Sequence, residues 1–238
     1  MTADSDVPAN RTIGILGGTG PQGRGLAYRF AAAGMTVVIG SRKADKAEAA
    51  AEELSAQAGA PVSGGSNEDC ARRSDVVLVV VPFEGHRELL LSLREQLAGK
   101  VVVDCVNPMG FDGKGPFSLS VAEGSAAEQA RELLPDSTVT AAFHHLSAVL
   151  LTDPAVGTID SDVLVLGDDR GATAEVQALA SAIPGVRGVY GGRLRNAGQV
   201  EALTANLIAL NRRYKTHAGI RVTGFPEDVA GGMQQPHQ

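Results

Sequence analysis

A short apolar run, Ile13-Gly14-Ile15-Leu16, opens directly onto Gly17-Gly18-Thr19-Gly20-Pro21-Gln22-Gly23. Gly18, Gly20 and Gly23 keep the G-x-G-x-x-G spacing between a strand and a helix, the context in which that spacing holds a dinucleotide. Gly18 is expected to make the tight turn, Gly20 to let the backbone approach a pyrophosphate, and Gly23 to let the helix lie close on the strand. The helix start offers unpaired N–H groups and positive partial charge to phosphates. Pro21 suits its first turn, where a missing N–H costs nothing.

The second strand decides which dinucleotide. An NAD site places an Asp or Glu at its end, about 20 residues past the glycines, to take the ribose 2′-hydroxyl. Here that place reads Gly40-Ser41-Arg42-Lys43, with Lys46 one turn along and no carboxylate before Asp45. A hydroxyl and cations in that place match a 2′-phosphate: Arg42 grips it bidentately, Ser41 donates and Lys46 adds charge. The expected cofactor is NADP(H); the alternative is a solvated basic helix start without a ligand.

Past this unit, strands and helices alternate as far as Lys100-Val101-Val102-Val103-Asp104, which argues for a doubly wound parallel sheet of Rossmann type. The run Asp75 to Val81 is continuously apolar after its first residue, as a parallel strand covered on both faces requires. Helices are expected over Arg24–Ala33, Lys43–Ala58, Glu84–Leu97 and Ser125–Leu134, a third strand over Ala60–Ser63, and a loop at Gly64-Gly65-Ser66. The segment from Cys105 to Gly124 reads as a long loop at a strand's carboxyl end, the side on which open α/β sheets bind ligands. A sixth strand, Thr138–Phe143, delivers His144-His145-Leu146-Ser147-Ala148.

The expected division is an N-terminal NADP-binding domain over residues 1–148 and a smaller α/β domain over 149–238. The second carries a strand at Val163–Leu166, another at Val186–Tyr190, and a helix from Ala197 with apolar residues at helical spacing, which suits a core or a dimer surface. The chain has 238 residues and a net charge of −6, with no basic stripe for nucleic acid. No apolar run is long enough to cross a bilayer. The polar residues 1–10 lack the features of a signal peptide, and Cys70 and Cys105 have neither disulfide nor zinc spacing. A cytoplasmic setting, without membrane or metal, is the expectation.

Catalytic side chains are sparse. His144 and His145 are the obvious candidates, and strand alternation puts one toward the cleft and the other into packing. A carbonyl reductase needs a proton donor near the reacting oxygen. Direct hydride transfer between two cofactors needs only stacked rings and charge stabilisation. The residues alone leave open an NADPH-dependent reductase of a small carbonyl or imine, and a non-enzymatic NADP-sensing module.

Leu16-Gly17-Gly18-Thr19-Gly20 with Gly23, Gly40-Ser41-Arg42 with Lys46, and Gly167-Asp168-Asp169 together resemble the NADP oxidoreductases that use the 8-hydroxy-5-deazaflavin coenzyme F-420. The resemblance runs from Thr12 to Arg221. It implies reversible hydride transfer between NADP(H) and coenzyme F-420 in a homodimer. It also implies a pyrophosphate on Thr19, Gly20, Pro21 and Gln22, a 2′-phosphate on Ser41, Arg42 and Lys46, and the nicotinamide near Val81, Pro82 and Phe83. The deazaflavin would meet backbone amides of Asn107, Ala148 and Ala218, with Leu146 against its outer face and His144 close by. The chain departs from archaeal members at His145-Leu146-Ser147, around Asn107–Gly110 and at the C-terminus. Arg212, Arg213, Lys215 and Arg221 are assigned, on charge alone, to the coenzyme's acidic tail.

Overall fold

The computed structural model describes residues 11–225, so most of the stretch from Met1 to Arg11, whose sequence suits a flexible lead-in, and of the tail from Phe225, whose composition suits disorder or draping over a neighbour, lies outside the described residues. From the N-terminus come β1 (Thr12–Leu16), α1 (Pro21–Ala32), β2 (Thr36–Ser41), α2 (Ala44–Ala58), β3 (Val62–Ser66), α3 (Asn67–Arg73) and β4 (Val76–Val79). There follow α4 (His86–Ser92), α5 (Arg94–Leu97), β5 (Val101–Asp104), β6 (Met109–Asp112), β7 (Gly115–Ser118), α6 (Ala126–Leu133) and β8 (Thr138–Ala141). The chain continues with α7 (Ala148–Thr152), β9 (Ser161–Gly167), α8 (Arg170–Ser181), β10 (Val186–Gly192) and α9 (Ala197–Tyr214).

Eight strands form one sheet in the order β10-β9-β8-β5-β4-β1-β2-β3, all neighbours parallel except β8 and β9. Period-2 alternation divides the core between its two faces. On β4, Val76 and Leu78 join the cluster containing Phe30, Phe143 and Ile39, whereas Val77 and Val79 join the one containing Leu90, Leu97 and Val102. Since β2 lies on one side of β1 and β4 on the other, the loop leaving β1 sits where the winding reverses, the crevice in which such sheets bind ligands.

Three expectations change. Gly64-Gly65-Ser66 is strand rather than loop, with Gly40 paired to Gly65 and Ser41 to Ser66. A Cβ at Gly64 would lie 2.3 Å from the Ala47 carbonyl oxygen, so this glycine serves close packing of α2 on the sheet and not a turn. The long loop after β5 contains the antiparallel hairpin β6–β7, whose turn is built on the Asp112 carboxylate accepting the N–H groups of Lys114 and Gly115. The helix expected over Glu84–Leu97 is interrupted at Leu93, whose N–H is shared by the Leu89 and Leu90 carbonyls, the tightened geometry of a helix end.

Strands β9 and β10 extend the same sheet rather than founding a second one. The boundary drawn after residue 148 therefore falls between adjacent strands of one sheet, and the sheet is continuous across it.

Candidate active site

The carboxyl ends of β1, β2, β3 and β4 surround a cleft of about 770 Å3. Its floor is the glycine loop. Gly17, at φ +72°, is the residue that makes the tight turn assigned from sequence to Gly18, and a Cβ on it would lie 2.3 Å from the Val80 carbonyl oxygen. Gly18 and Gly23 lie behind the loop, where a Cβ on Gly23 would lie 2.7 Å from the Gly18 Cα, the close helix approach expected. Gly20 precedes α1 with Pro21 in its first turn, and Arg24 N–H returns to the Gly20 carbonyl. The backbone donors of Gln22 and Gly23 are thereby left to point out of the helix start.

Ser41, Arg42 and Lys46 line the same cleft beside Thr19 and Gly20, with Val81 and Pro82 on the opposite wall. Arg42 and Lys46 make no ion pair among the described residues, whereas Arg24 pairs with Glu53 and Arg72 with Glu68. Phe83 turns from the cleft and stacks on the His86 ring, centroids 6.1 Å apart. Asn67 is a wall residue that sequence reasoning missed. It opens α3 behind the Ser66 cap, and its Oδ1 accepts the Gly17 N–H at 3.3 Å, tying β3 to the glycine loop. Reading Gly64–Ser66 as loop concealed it, because only a strand ending at Ser66 brings Asn67 to the crevice.

Beyond β8 the chain bends at Phe143, a buried non-glycine residue at φ +65°. Its carbonyl accepts the Gln22 side-chain N–H at 2.7 Å, so the Gln22 amide group bridges α1 to this bend rather than facing the cleft. The His144 carbonyl accepts Asn107 Nδ2 at 2.9 Å and the Thr204 hydroxyl at 3.2 Å. The His144 ring is 1% exposed, its nitrogens have no partner among the described residues, and burial lowers its pKa to about 4. His145 is buried too and donates Nε2–H to the Asp162 carbonyl at 2.6 Å. Both histidines therefore pack, and neither lines the cleft. The expected alternation fails because the strand ends at Ala141 and Phe143 reverses the chain before either residue.

Residues 12–108 match the family model described as NADP oxidoreductase, coenzyme F420-dependent. The F420-dependent NADP reductase of Methanothermobacter thermautotrophicus is 41% identical over 223 residues, which cover 90% of this chain and 96% of that protein. The chain belongs to the F420-dependent NADP oxidoreductase family. The F420-dependent NADP reductase of Methanocaldococcus jannaschii is 40% identical, with 90% of this chain and 98% of that protein covered. Among solved structures, a candidate F420-dependent NADP-reductase of Arthrobacter sp. FB24 superposes with a TM-score of 0.78 at 27% identity, covering 90% of this chain and all of that one.

In this F420-dependent oxidoreductase the expected deazaflavin positions are only partly available. Asn107 holds the His144 carbonyl, and Ala148 begins α7, where a first-turn N–H has no helical partner. Leu146 is 4% exposed and packs in the core cluster; it is absent from the lining of the cleft and borders instead a separate small pocket of about 20 Å3, open to solvent, beside Ser147 and Ala218. The Ala218 N–H, expected to meet the deazaflavin, donates instead to Asn211 Oδ1 at 2.6 Å. Arg221 pairs with Asp160 and Asp162, which removes it from the group assigned to an acidic tail; Arg212, Arg213 and Lys215 remain exposed.

Proposed function

We propose that this protein transfers a hydride reversibly between NADP(H) and coenzyme F420, the reaction carried in the names of its relatives. The observation that carries the reading is the cleft's chemistry. Unpaired cations stand at one end, helix-start donors in the middle and an apolar wall at the other, and the only ionisable acid among its lining residues is the exposed Glu84. That set fits NADP(H): Arg42, Lys46 and Ser41 hold the 2′-phosphate, and the loop from Thr19 to Gln22 holds the pyrophosphate, with the backbone N–H groups of Thr19 and Gln22 as donors and Gly20 and Pro21, whose N–H is engaged or missing, shaping the turn. Val81 and Pro82 shelter the nicotinamide, with Phe83 bracing them from behind.

When bound, the nicotinamide and the deazaflavin supply the hydride donor and acceptor. The protein's own residues exclude water and fix orientation. Asn107 and Ala148 present the polar edge for the second ring, and the His144 carbonyl, just past the bend at Phe143, ties that segment to Asn107. With its pKa lowered to about 4, the His144 ring is neutral at physiological pH and moves no proton. Direct hydride transfer requires no such proton, whereas the carbonyl-reductase alternative requires one. Because the Leu146 side chain is buried, its place in this reading is support of the 147–148 turn from below.

A homodimer belongs to the proposal. Phe111 and Phe117 on the β6–β7 hairpin, and Leu210 and Tyr214 on α9, against which β7 packs, leave large apolar groups exposed. Two free buried thiols suit a reducing cytoplasm, and no helix among the described residues is long and apolar enough to cross a membrane.

The test mixes the purified protein with oxidised coenzyme F420 and NADPH while the deazaflavin absorbance is followed, with NADH and a riboflavin-type flavin in parallel. Bleaching with NADPH and the deazaflavin alone is expected. Tight NADPH binding without bleaching would return the assignment to the small-substrate reductase or the sensor.

A further inference from the structure

Between the two walls of the site lies a buried polar group that the proposed chemistry does not use. His86, at the start of α4, is fully buried, as is Asp104, the last residue of β5. His86 Nε2 lies 2.6 Å from Asp104 Oδ2 and Nδ1 lies 2.9 Å from Gln129 Oε1. The Gln129 amide is not free to turn over, because its Nε2 donates to the Glu123 carboxylate at 3.2 Å, and a carboxylate there offers only acceptors. Both ring nitrogens of His86 therefore face acceptors, and only an imidazolium, with two N–H donors, satisfies both. The Asp104 carboxylate is held on its other side by the Val106 N–H, which donates to Oδ1 at 3.0 Å.

The connections run across the site. The His86 ring stacks on Phe83, in the segment that follows Val81 and Pro82. Asp104 fixes the turn that carries Asn107, and Asn107 in turn holds the His144 carbonyl. The ends of β4, β5 and β8 are thus joined by one charged relay beneath the place where two rings must meet.

We infer that His86 is a positioning residue, a buried imidazolium that, through Asp104 and the Val106 N–H, sets the separation between the nicotinamide wall at Val81–Phe83 and the deazaflavin wall at Asn107 and His144. The inference rests on the proposed hydride transfer. Its energetic sense is plain: a buried charge pair adds little net stability over an apolar pair, yet fixes geometry, and losing one partner leaves the other uncompensated. Burial opposes the imidazolium, but the Asp104 carboxylate and the hydrogen bonds from Asp104 and Gln129 outweigh it and raise the histidine's pKa above 6.5. Besides Asp104, Glu201 on α9 faces the ring electrostatically, and Arg87 beside it is paired with Glu123.

Two measurements on the full-length protein test this. Nitrogen NMR of the His86 ring at about pH 8, where a free imidazole is neutral, is expected to show both nitrogens protonated; a neutral ring overturns the inference without reference to activity. In single-turnover kinetics, His86→Gln is expected to slow hydride transfer about 10- to 100-fold, the scale of a small misplacement of reacting atoms. The KM for NADPH should stay within about two-fold of wild type, since the phosphate-binding residues are untouched. The doubly neutral His86→Gln/Asp104→Asn, which leaves no unpaired charge, is expected to recover thermal stability and part of the rate. Unchanged transfer per folded molecule in His86→Gln, with only a lower melting temperature, would make the histidine structural and overturn the inference. If the wild-type protein binds NADPH but transfers no hydride, the proposed reaction itself fails, and the positioning role falls with it even where the NMR shows a charged ring.

Discussion

At the scale of single residues, Arg42 carries most of the discrimination between the two nicotinamide nucleotides. It is exposed, lines the cleft and has no carboxylate partner among the described residues, so its planar donors are available to a 2′-phosphate. A charge-assisted hydrogen bond is worth about 1.5–3 kcal/mol. Arg42→Ala should therefore raise the KM for NADPH about 10- to 100-fold and scarcely change the KM for NADH, as steady-state assays with each nucleotide would read. Equal losses for both would place Arg42 away from the 2′-phosphate. Residues of this kind can be read from sequence because their positions are local: Ser41 and Arg42 are fixed by where β2 ends, and a strand of Val and Ile announces its own end. His144 and Leu146 are not of this kind. Their burial follows from the positive φ of Phe143, for which the sequence shows no glycine or asparagine to give warning.

At the scale of elements, α1 is held to the segment after β8 at both of its ends. Gln22 reaches the Phe143 carbonyl from the first turn. Arg29, 5% exposed in the last turn, donates to the carbonyls of Leu151 at 2.9 Å, Val156 at 2.7 Å, and Leu150 and Asp153 at 2.6 and 2.9 Å. The guanidinium thus caps the carboxyl end of α7, a helix of five residues too short to persist without tertiary support. Arg29→Met would leave those carbonyls facing an apolar chain, at a cost of about 2–5 kcal/mol. Urea unfolding should show that loss. Because the carbonyls belong to the segment bearing Ala148 and not to the glycine loop, the KM for coenzyme F420 should rise more than that for NADPH; a larger rise for NADPH would mean that α1, not α7, is what Arg29 holds in place. Periodicity gave the elements of the sheet well, since continuous apolar strands and capped helices are local signals. It did not give the antiparallel entry of β9, the hairpin β6–β7 or the Arg29 cap, each decided by contacts between segments distant in the chain.

At the scale of the whole molecule, buried ionisable groups decide how stability varies with pH, and two of them oppose each other. Burial, against hydrogen bonds from the Ala126 and Ala127 N–H groups, raises the Glu201 carboxyl from 4.5 to about 7. Between those values the folded protein holds a proton that the unfolded chain has lost, so this group makes stability fall as pH rises, with no further change above about 7. His144 has the opposite sign. Burial lowers it from 6.5 to about 4, so between those values the unfolded chain holds the extra proton and stability rises with pH. Each contribution has a slope of about 1.4 kcal/mol per pH unit, and between pH 4.5 and 6.5 they offset; His145, which burial also lowers, adds to the side of His144. Glu201→Gln removes one side of the balance. Whatever the variant loses by giving α6 one acceptor fewer, its stability relative to wild type should climb by about 1.4 kcal/mol per pH unit from about pH 5 to 6.5, as urea unfolding at a series of pH values would show. Parallel curves for the two proteins would mean that Glu201 is ionised in the fold at pH 5, with α6 and the Asp104 region arranged to hold a carboxylate there.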